Sequence, residues 1–265
     1  MSVMTLPGEQ PYHYHDSGGD GPPLVLLHGF PMSHLQWQPQ IHHFAASHRV
    51  IAPDMRGLGE STVTDPTATI TMEQHADDVV SLLQHLQISQ PVTFIGLSMG
   101  GYVLWQLVHK YPDLPGKIVL CHTRTVADTA EQAEGRQQLA ARTLEEQSAD
   151  AVLATMLPRL LPASAPDSVR FAVTRMARSA TPAGLAATLR GLAVRPDAGD
   201  IPATIQAPTL VISGELDAIS PPHEMQEWAR RIPNCQFVSL SGAGHLSPLE
   251  TPDLFNQTLT GWAAW

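Results

Sequence analysis

The sequence predicts an α/β fold in which a mostly parallel sheet is flanked by helices. Apolar residues make up 43% of the 265 residues and charged residues 15%, as expected of a globular chain with a large core. Short apolar runs recur between Gly- and Pro-rich stops, and most are apolar on both faces, as in a sheet covered by helices on both sides. The predicted strands are residues 24–27, 50–52, 92–95, 118–120, 210–212 and 237–240.

Amphipathic segments of helical length lie between these runs. Met72, Ala76, Val79 and Leu83 recur at three- and four-residue spacing, with polar residues between them. Residues 99–111 follow the same pattern. Strands that alternate with helices are typical of a parallel sheet whose connections cross over with right-handed topology.

The pattern changes between residues 122 and 198. No strand-like run occurs there, while Ala, Leu, Gln, Glu and Arg dominate and prolines punctuate the segment. This composition predicts several short helices inserted between two strands. We therefore expect one α/β core formed by residues 1–121 and 199–265, with residues 122–198 inserted into it as a helical lid, or cap domain.

Charge and composition argue against several classes of protein. The formal net charge is −10, so the overall field repels a phosphate backbone and nucleic acid is not an expected partner. No apolar run approaches the roughly 20 residues that cross a bilayer, and the first twenty residues lack the basic and apolar regions of a secretory signal. Cys121 and Cys235 alone cannot form a disulfide framework. These features predict a cytoplasmic protein without membrane contact.

The motif Gly-Leu-Ser-Met-Gly at residues 96–100 carries the sharpest chemical signal. It follows the predicted strand 92–95 directly and precedes the predicted helix 99–111, which is the strand–turn–helix context of a nucleophilic serine. Small residues two positions before and after Ser98 allow strand and helix to approach closely around a strained turn. The motif therefore predicts Ser98 as a nucleophile.

A base and an orienting acid follow in matching contexts. Asp217 lies on a loop after strand 210–212, and His245 lies on a glycine-rich loop after strand 237–240. A serine attacks efficiently only when a base takes its proton, and an acid holds that base in place. The order Ser98, Asp217, His245 therefore predicts a catalytic triad.

The segment His-Gly-Phe-Pro at residues 28–31 follows strand 24–27 and supplies the last part of an acyl-transfer site. Preorganised amides that bind a carbonyl oxygen as it becomes negative contribute roughly 3 to 4 kcal/mol. We assign this oxyanion hole to the backbone amides of Phe30 and Met99, and expect the ring of Phe30 to line the substrate pocket. His28 is expected to tie down the loop.

Together with Asp-Met-Arg-Gly-Leu-Gly-Glu-Ser at residues 54–61, these motifs resemble the α/β-hydrolase superfamily, in its lidded carboxylesterase and 3-oxoadipate enol-lactonase branch. The resemblance covers nearly the whole chain. It implies the α/β-hydrolase fold, a mostly parallel twisted sheet flanked by helices with an inserted helical lid, in which Asp54 and Arg56 support neighbouring loops. Dehalogenases and epoxide hydrolases of the superfamily carry aspartate where this chain has Ser98, which disfavours their alkyl-enzyme chemistry.

The expected activity is hydrolysis of small carboxylic esters through an acyl-enzyme on Ser98, with no metal or organic cofactor. Enol-lactone hydrolysis, hydrolysis of acyl-carrier methyl esters, carbon–carbon bond hydrolysis and perhydrolysis use the same triad and stay open. A non-catalytic ligand receptor on the same fold is the alternative from a different class. The expected partner is a small ester or lactone; an acyl-carrier protein is less favoured, and the oligomeric state is left open.

The arginines of the predicted lid have two competing explanations. Residues 122–198 contain nine arginines and eight acidic residues, whereas the rest of the chain is strongly acidic. One explanation is recognition of an acidic substrate or carrier. Pairing with acids on solvated helix faces is the explanation that we favour. The candidates are Arg124, Arg159, Arg175, Arg178 and Arg190.

Two groups of histidines could in principle bind a metal ion, because histidine is a common metal ligand, but their spacing argues against a metal site. His13 and His15 would share one face of a strand, and His42, His43 and His48 would cluster on one helix or at its end. Neither group has a companion at metal-ligand spacing, so no metal site is expected.

Overall fold

The computed structural model describes residues 1–6, 8 and 10–262. Eight strands of this part of the chain form one sheet: β1 (Ser2–Leu6), β2 (Gln10–Asp16), β3 (Pro23–Leu27), β4 (Arg49–Pro53), β5 (Val92–Leu97), β6 (Pro115–Cys121), β7 (Thr209–Gly214) and β8 (Cys235–Leu240). Their spatial order is β1-β2-β4-β3-β5-β6-β7-β8. Among these described strands, only β2 pairs antiparallel with its neighbours, β1 and β4. The remaining pairs are parallel, so the predicted mostly parallel sheet is confirmed.

The helices cover both faces of the sheet. The six predicted strands are all present, the spaced apolar residues 72–83 lie on one helix, and the predicted helix 99–111 ends one residue earlier than expected. Within the described residues the helices are α1 (Gln38–Phe44), α2 (Met72–His85), α3 (Met99–Lys110), α4 (Ala130–Glu146), α5 (Asp150–Leu160), α6 (Asp167–Ser179), α7 (Pro182–Ala193), α8 (Pro222–Ala229), α9 (Ser247–Glu250) and α10 (Pro252–Thr260).

The central strands are buried on both faces. All five residues of β3 are buried; Leu24 and Leu26 belong to one apolar cluster, and Val25 and Leu27 belong to the other. Side chains that alternate between two apolar clusters are expected when a parallel strand lies between two layers of helices. The continuous apolar runs in the sequence reflect this double burial.

Four helices, α4 to α7, connect β6 to β7. The described residues 122–198 contain no strand, as expected. Leu185 and Leu189 of α7 belong to the same apolar cluster as Tyr102 and Trp105 of α3. The inserted helices therefore share a core with the sheet, and their treatment as a separate lid stays a prediction.

Helix α7 is held tightly against the core segment 57–71. A Cβ on Gly191 would lie 1.7 Å from the carbonyl oxygen of Ile70, so only glycine allows this approach. The Thr181 hydroxyl donates to the carbonyl oxygen of Val63 at 2.7 Å. Arg190 donates to the carbonyl oxygens of residues 66 and 68. This candidate arginine therefore stabilises packing between α7 and the core.

Two smaller expectations concern the cysteines and the membrane. Cys121 is buried, Cys235 is partly buried, and both are free thiols. Among the described residues, no helix has both the length and the apolar composition needed to cross a membrane. The cytoplasmic location stays a prediction.

Candidate active site

Ser98 occupies a strained turn between the end of β5 and the start of α3. Its φ is 53° and its ψ is −110°, a conformation that non-glycine residues rarely adopt. A Cβ on Gly100 would lie 2.1 Å from the carbonyl oxygen of Leu27, so a larger residue there would separate helix from sheet. The backbone N–H of Ser98 donates to Cys121 and its carbonyl oxygen accepts from the Thr123 hydroxyl, both at 2.9 Å. The turn is thus fixed from both sides.

The loop after β3 lies beside Ser98. A Cβ on Gly29 would lie 3.4 Å from the Cβ of Ser98. His28 anchors this loop: its Nε2 accepts from the Met55 amide at 2.9 Å, so its proton lies on Nδ1, 2.9 Å from the Gly29 carbonyl oxygen. Burial lowers the pKa of His28 to about 4. His28 is therefore neutral at pH 7 and has the structural position that was expected.

The amides assigned to the oxyanion hole are free. Within the described chain, neither the Phe30 N–H nor the Met99 N–H donates a hydrogen bond. Met99 begins α3, and the first amides of a helix lack intrahelical partners and favour negative charge. The ring of Phe30 is 5% exposed and belongs to an apolar cluster. Its contact with substrate stays a prediction.

Asp217 and His245 meet at the carboxyl ends of β7 and β8. The Nδ1 atom of His245 lies 2.9 Å from Oδ2 of Asp217. Burial alone would raise the pKa of Asp217, but the charge of His245 and the hydrogen bonds from His122 and His245 outweigh burial and hold this pKa well below its ordinary range. An ionised carboxylate only accepts hydrogen bonds, so the His245 proton lies on Nδ1.

The other nitrogen of His245 is available as a base. Nε2 is buried and makes no hydrogen bond within the described chain, so Ser98 and His245 are not hydrogen-bonded to each other in this structure. An unpartnered, unprotonated imidazole nitrogen can accept a proton from a nucleophile. Catalytic hydrogen bonds are often absent or long before substrate binds.

Glu250 fixes the loop that carries His245. Its two carboxylate oxygens accept from the amides on either side of that histidine, Gly244 at 2.9 Å and Leu246 at 2.7 Å. Burial raises the pKa of Glu250, and these two hydrogen bonds oppose that effect. Sequence reasoning missed this residue, although a carboxylate five positions after a loop histidine was a local signal.

His122 is a second histidine on Asp217. It is fully buried, and its Nδ1 lies 3.0 Å from Oδ2 of Asp217. The Nε2 atom lies 2.6 Å from the Ser247 hydroxyl. Sequence reasoning used this residue only as the start of the predicted lid, because its partners lie 95 and 125 residues further along the chain.

The expected supporting roles of Asp54 and Arg56 agree with their contacts. Asp54 is buried and accepts from the amide and ring of His34 and from the amide of Glu60, which joins three loops. Arg56 forms a two-point ion pair with Asp78, with distances of 2.6 and 2.9 Å.

Four arginines and one aspartate line a cavity of about 250 Å³ under α4 and α5. Arg136 and Arg195 both contact Asp128, at 2.5 and 2.7 Å. Arg124 pairs with Glu224, which does not itself line the cavity. Arg159 has no ion pair among the described residues. Tyr102, one turn after Ser98, and Ile219, two residues after Asp217, also line the cavity.

The pairing explanation for the arginines is therefore right for some and wrong for others. Arg178 pairs with Asp150 on an exposed face, and Arg175 lies over the ring of Phe171, 5.9 Å from its centroid. Arg159 does not follow the pairing pattern. Arg136, which is partly exposed, and Arg195, which is buried, both bind Asp128 and were absent from the candidates.

One group of potential metal ligands exists among the described residues. The ligand atoms of His122, Asp217 and His245 lie within 4.8 Å of one another. Both oxygens of Asp217 and both nitrogens of His122 already take part in hydrogen bonds. Hydrogen bonding therefore accounts for this cluster, and the expectation that the protein uses no metal stays a prediction.

Comparison with known proteins places this geometry in a family. Residues 22–252 match the profile of the family described as alpha/beta hydrolase fold. The chain belongs to this family. The resemblance and the α/β-hydrolase fold predicted from the motifs are thereby confirmed, and the protein is a hydrolase.

Individual α/β hydrolases resemble the chain along nearly its whole length. The 3-oxoadipate enol-lactonase 2 of Acinetobacter baylyi is 29% identical over 91% of this chain and 88% of that protein. A thermophilic esterase from Thermogutta terrifontis, solved with malate bound, is 40% identical with a TM-score of 0.92, covering 98% of this chain and 95% of the other. The enol-lactonase from Burkholderia xenovorans is 27% identical with a TM-score of 0.87, covering 98% of each chain.

Proposed function

We propose that the protein is a serine esterase that cleaves small carboxylic esters with Ser98, His245 and Asp217 as its catalytic triad. One observation carries the proposal: Ser98 is held at a positive φ at the start of α3, and His245 keeps a buried, unpartnered Nε2 while its Nδ1 binds Asp217. The similarity to an esterase at 40% identity supports the same reaction.

Each step of ester hydrolysis has a residue suited to it. Ser98 Oγ attacks the ester carbonyl carbon as Nε2 of His245 takes the hydroxyl proton. The free amides of Phe30 and Met99 bind the carbonyl oxygen as it becomes negative. His245 then returns the proton to the departing alcohol, and Asp217 stabilises the imidazolium in between. Water activated by His245 releases the acid from the acyl-enzyme.

The test is hydrolysis of p-nitrophenyl esters from acetate to decanoate. We expect Ser98→Ala to lose at least about 10³-fold in kcat/KM. Ser81→Ala is the matched control: among the described residues the Ser81 hydroxyl binds only the Asp77 carbonyl oxygen of its own helix, so this substitution should leave activity unchanged. An active-site phosphonate should label Ser98 alone, as read by peptide mass spectrometry. An inert wild type, or equal rates for Ser98→Ala and Ser81→Ala, would refute the proposal.

A second candidate is a narrower one: hydrolysis of an ester or lactone that carries a carboxylate away from the reacting bond. The arginine-lined cavity favours it. Four arginines and one aspartate leave a positive lining within a chain of net charge −10. Two similar proteins point the same way by name, since one is a 3-oxoadipate enol-lactonase and the other was solved with malate.

In the described part of the chain, Arg136 and Arg159 have guanidinium N–H groups that are free to bind a ligand, whereas Arg195 does not. Arg195 is used internally: it binds Asp128 and two carbonyl oxygens and stacks on Tyr102. Arg136 binds Asp128 only through Nε, so its terminal nitrogens are free within the described chain. Arg159 has no partner there. A carboxylate in the cavity would find two guanidinium groups that can each donate paired hydrogen bonds.

Matched substrates separate this candidate from the general one. We expect Arg159→Gln to raise KM about tenfold for mono-4-nitrophenyl adipate and leave 4-nitrophenyl hexanoate, of equal chain length, unaffected, because one lost charge-assisted contact is worth roughly 1 to 2 kcal/mol. Arg142→Gln is the control, since Arg142 lies on the exposed face of α4 and pairs with Glu146. Equal changes for both substrates would contradict carboxylate recognition while leaving the esterase proposal standing.

A further inference from the structure

His122 and Ser98 occupy equivalent positions on neighbouring strands. Leu97 of β5 lies opposite Cys121 of β6 in parallel register, so the next residue of each strand is Ser98 and His122. Both leave the sheet with positive φ, 53° and 50°. Such conformations are costly for residues other than glycine and concentrate at functional sites. The fold thus holds a buried histidine in a strained conformation beside the nucleophile.

The hydrogen bonds of His122 define its protonation. Asp217 accepts only, so the proton that joins the two residues lies on Nδ1 of His122. Nε2 is then an acceptor, and the hydroxyl of Ser247 donates to it at 2.6 Å. A neutral imidazole satisfies both contacts at once. Burial lowers the pKa of His122, in agreement with the neutral form.

The contact with His122 completes the fixation of the Asp217 carboxylate. Oδ1 accepts from the amides of Ile219 at 2.8 Å and Ser220 at 3.0 Å, and also from His245. Oδ2 accepts from His245 and His122, and from no other described residue. Without His122, the backbone would hold one oxygen and His245 alone would hold the other. The carboxylate could then rotate away from the base that it orients.

We propose that His122 is a positioning residue of the triad, a neutral donor that fixes the Asp217 carboxylate against His245. The inference rests on the proposed esterase function. The rings of His122 and His245 lie 5.6 Å apart, and Asp217 and His245 are the described residues whose charges act on His122. A cationic residue at this position would repel the imidazolium that forms on His245 during attack. A neutral donor orients the carboxylate without that cost.

Two substitutions at one position separate orientation from mere packing. His122→Phe keeps an aromatic ring but removes both polar contacts, whereas His122→Asn keeps a donor near the Nδ1 position and tolerates positive φ. With p-nitrophenyl butyrate we expect His122→Phe to lower kcat 10- to 100-fold with KM within twofold, and His122→Asn to recover kcat to within about fivefold of the wild type. His109→Phe, on the exposed end of α3, is the control.

The pH profile is the readout that packing alone would not move. Without His122 the Asp217 carboxylate is held less firmly against His245 and stabilises the protonated base less, so the acid limb of kcat/KM should move to lower pH in His122→Phe. An active wild type refutes the inference alone if His122→Phe keeps its kcat within twofold, or if it loses kcat without any shift of its acid limb. An inert wild type refutes the proposed function instead.

A measurement on the wild type keeps the inference testable if His122→Phe does not fold. Long-range ¹H–¹⁵N spectra of the ¹⁵N-labelled protein report the tautomer of each histidine ring, with His122→Asn supplying the assignment. We expect a neutral ring protonated at Nδ1 from pH 6 to 8. A ring protonated at Nε2, or at both nitrogens, would overturn the hydrogen-bond assignment on which the positioning role depends.

Discussion

His75 provides a quantitative link between burial and acid stability. It is fully buried in α2, and neither ring nitrogen has a hydrogen-bond partner within the described chain. Burial lowers its pKa to about 3, from an ordinary value of about 6.5. The unfolded chain therefore binds this proton more readily than the folded one, so stability is full above about pH 6.5 and falls as pH decreases towards the folded pKa.

Linkage between these two pKa values gives the size of the effect. At pH 4.5 the wild type should have lost about 2.7 kcal/mol of unfolding free energy through His75, against less than about 0.1 kcal/mol at pH 7.5. His75→Leu removes this loss and two unpaired polar atoms. Its advantage in unfolding free energy should therefore be about 2.7 kcal/mol larger at pH 4.5 than at pH 7.5, or roughly 5 to 10 °C in Tm for a chain of this size.

The assay is a set of thermal melts of wild type, His75→Leu and His42→Leu at both pH values. His42 is exposed, and His42→Leu serves as the control for replacing a histidine by leucine on the protein surface. Groups that titrate equally in all three proteins cancel in the comparison. A His75→Leu advantage that is the same at both pH values would refute the reasoning from burial.

Three further outcomes follow from the contacts around the candidate site. Gly100→Ala should abolish folding or activity, because its Cβ would lie 2.1 Å from the Leu27 carbonyl oxygen; soluble yield and circular dichroism report this. Gly135→Ala, with nothing within 4 Å of its Cβ inside α4, should instead raise stability by roughly 0.5 to 1 kcal/mol in denaturant melts. Glu250→Gln leaves one acceptor oxygen for two amides, so kcat should fall about tenfold; a kcat equal to wild type would contradict the role of Glu250 in holding the His245 loop.

The parts of the fold that the sequence predicted are those with a local signal. The five strands β3 to β7 are mostly buried and appear as continuous apolar runs. Strand β8 is only partly buried but keeps enough apolar residues to be recognised, and helix α2 appears as three- and four-residue spacing. Strands β1 and β2 escaped this criterion because only one of their faces is buried. In β2 the buried residues Tyr12 and Tyr14 alternate with His13 and other partly exposed residues, and no apolar run results.

The candidate site divides in the same way. Ser98, Asp217 and His245 each follow a predicted strand within a short motif, so each could be proposed from its neighbours in sequence. The partnership of His122 with Asp217 joins two loops 95 residues apart, and only the parallel register of β5, β6 and β7 brings them together. In the sequence, nothing distinguishes Arg136 from the other arginines of residues 122–198. The structure shows that Arg136 lines the cavity and that only its Nε binds Asp128 among the described residues.

The close packing of α7 limits how a substrate could reach Ser98. Its contacts with segment 57–71 combine a glycine that admits no side chain with hydrogen bonds to backbone carbonyl groups, so any displacement of α7 would break several interactions at once. Among the described residues, no hydrogen bond joins α5 or α6 to that segment. Helix α4 packs extensively against α7, so we expect any widening of the entrance to come from α5 and α6 moving relative to a stationary α4 and α7. Substitutions on α5 and α6 should tune the rate of substrate entry, whereas substitutions on the packed face of α7 should act on folding.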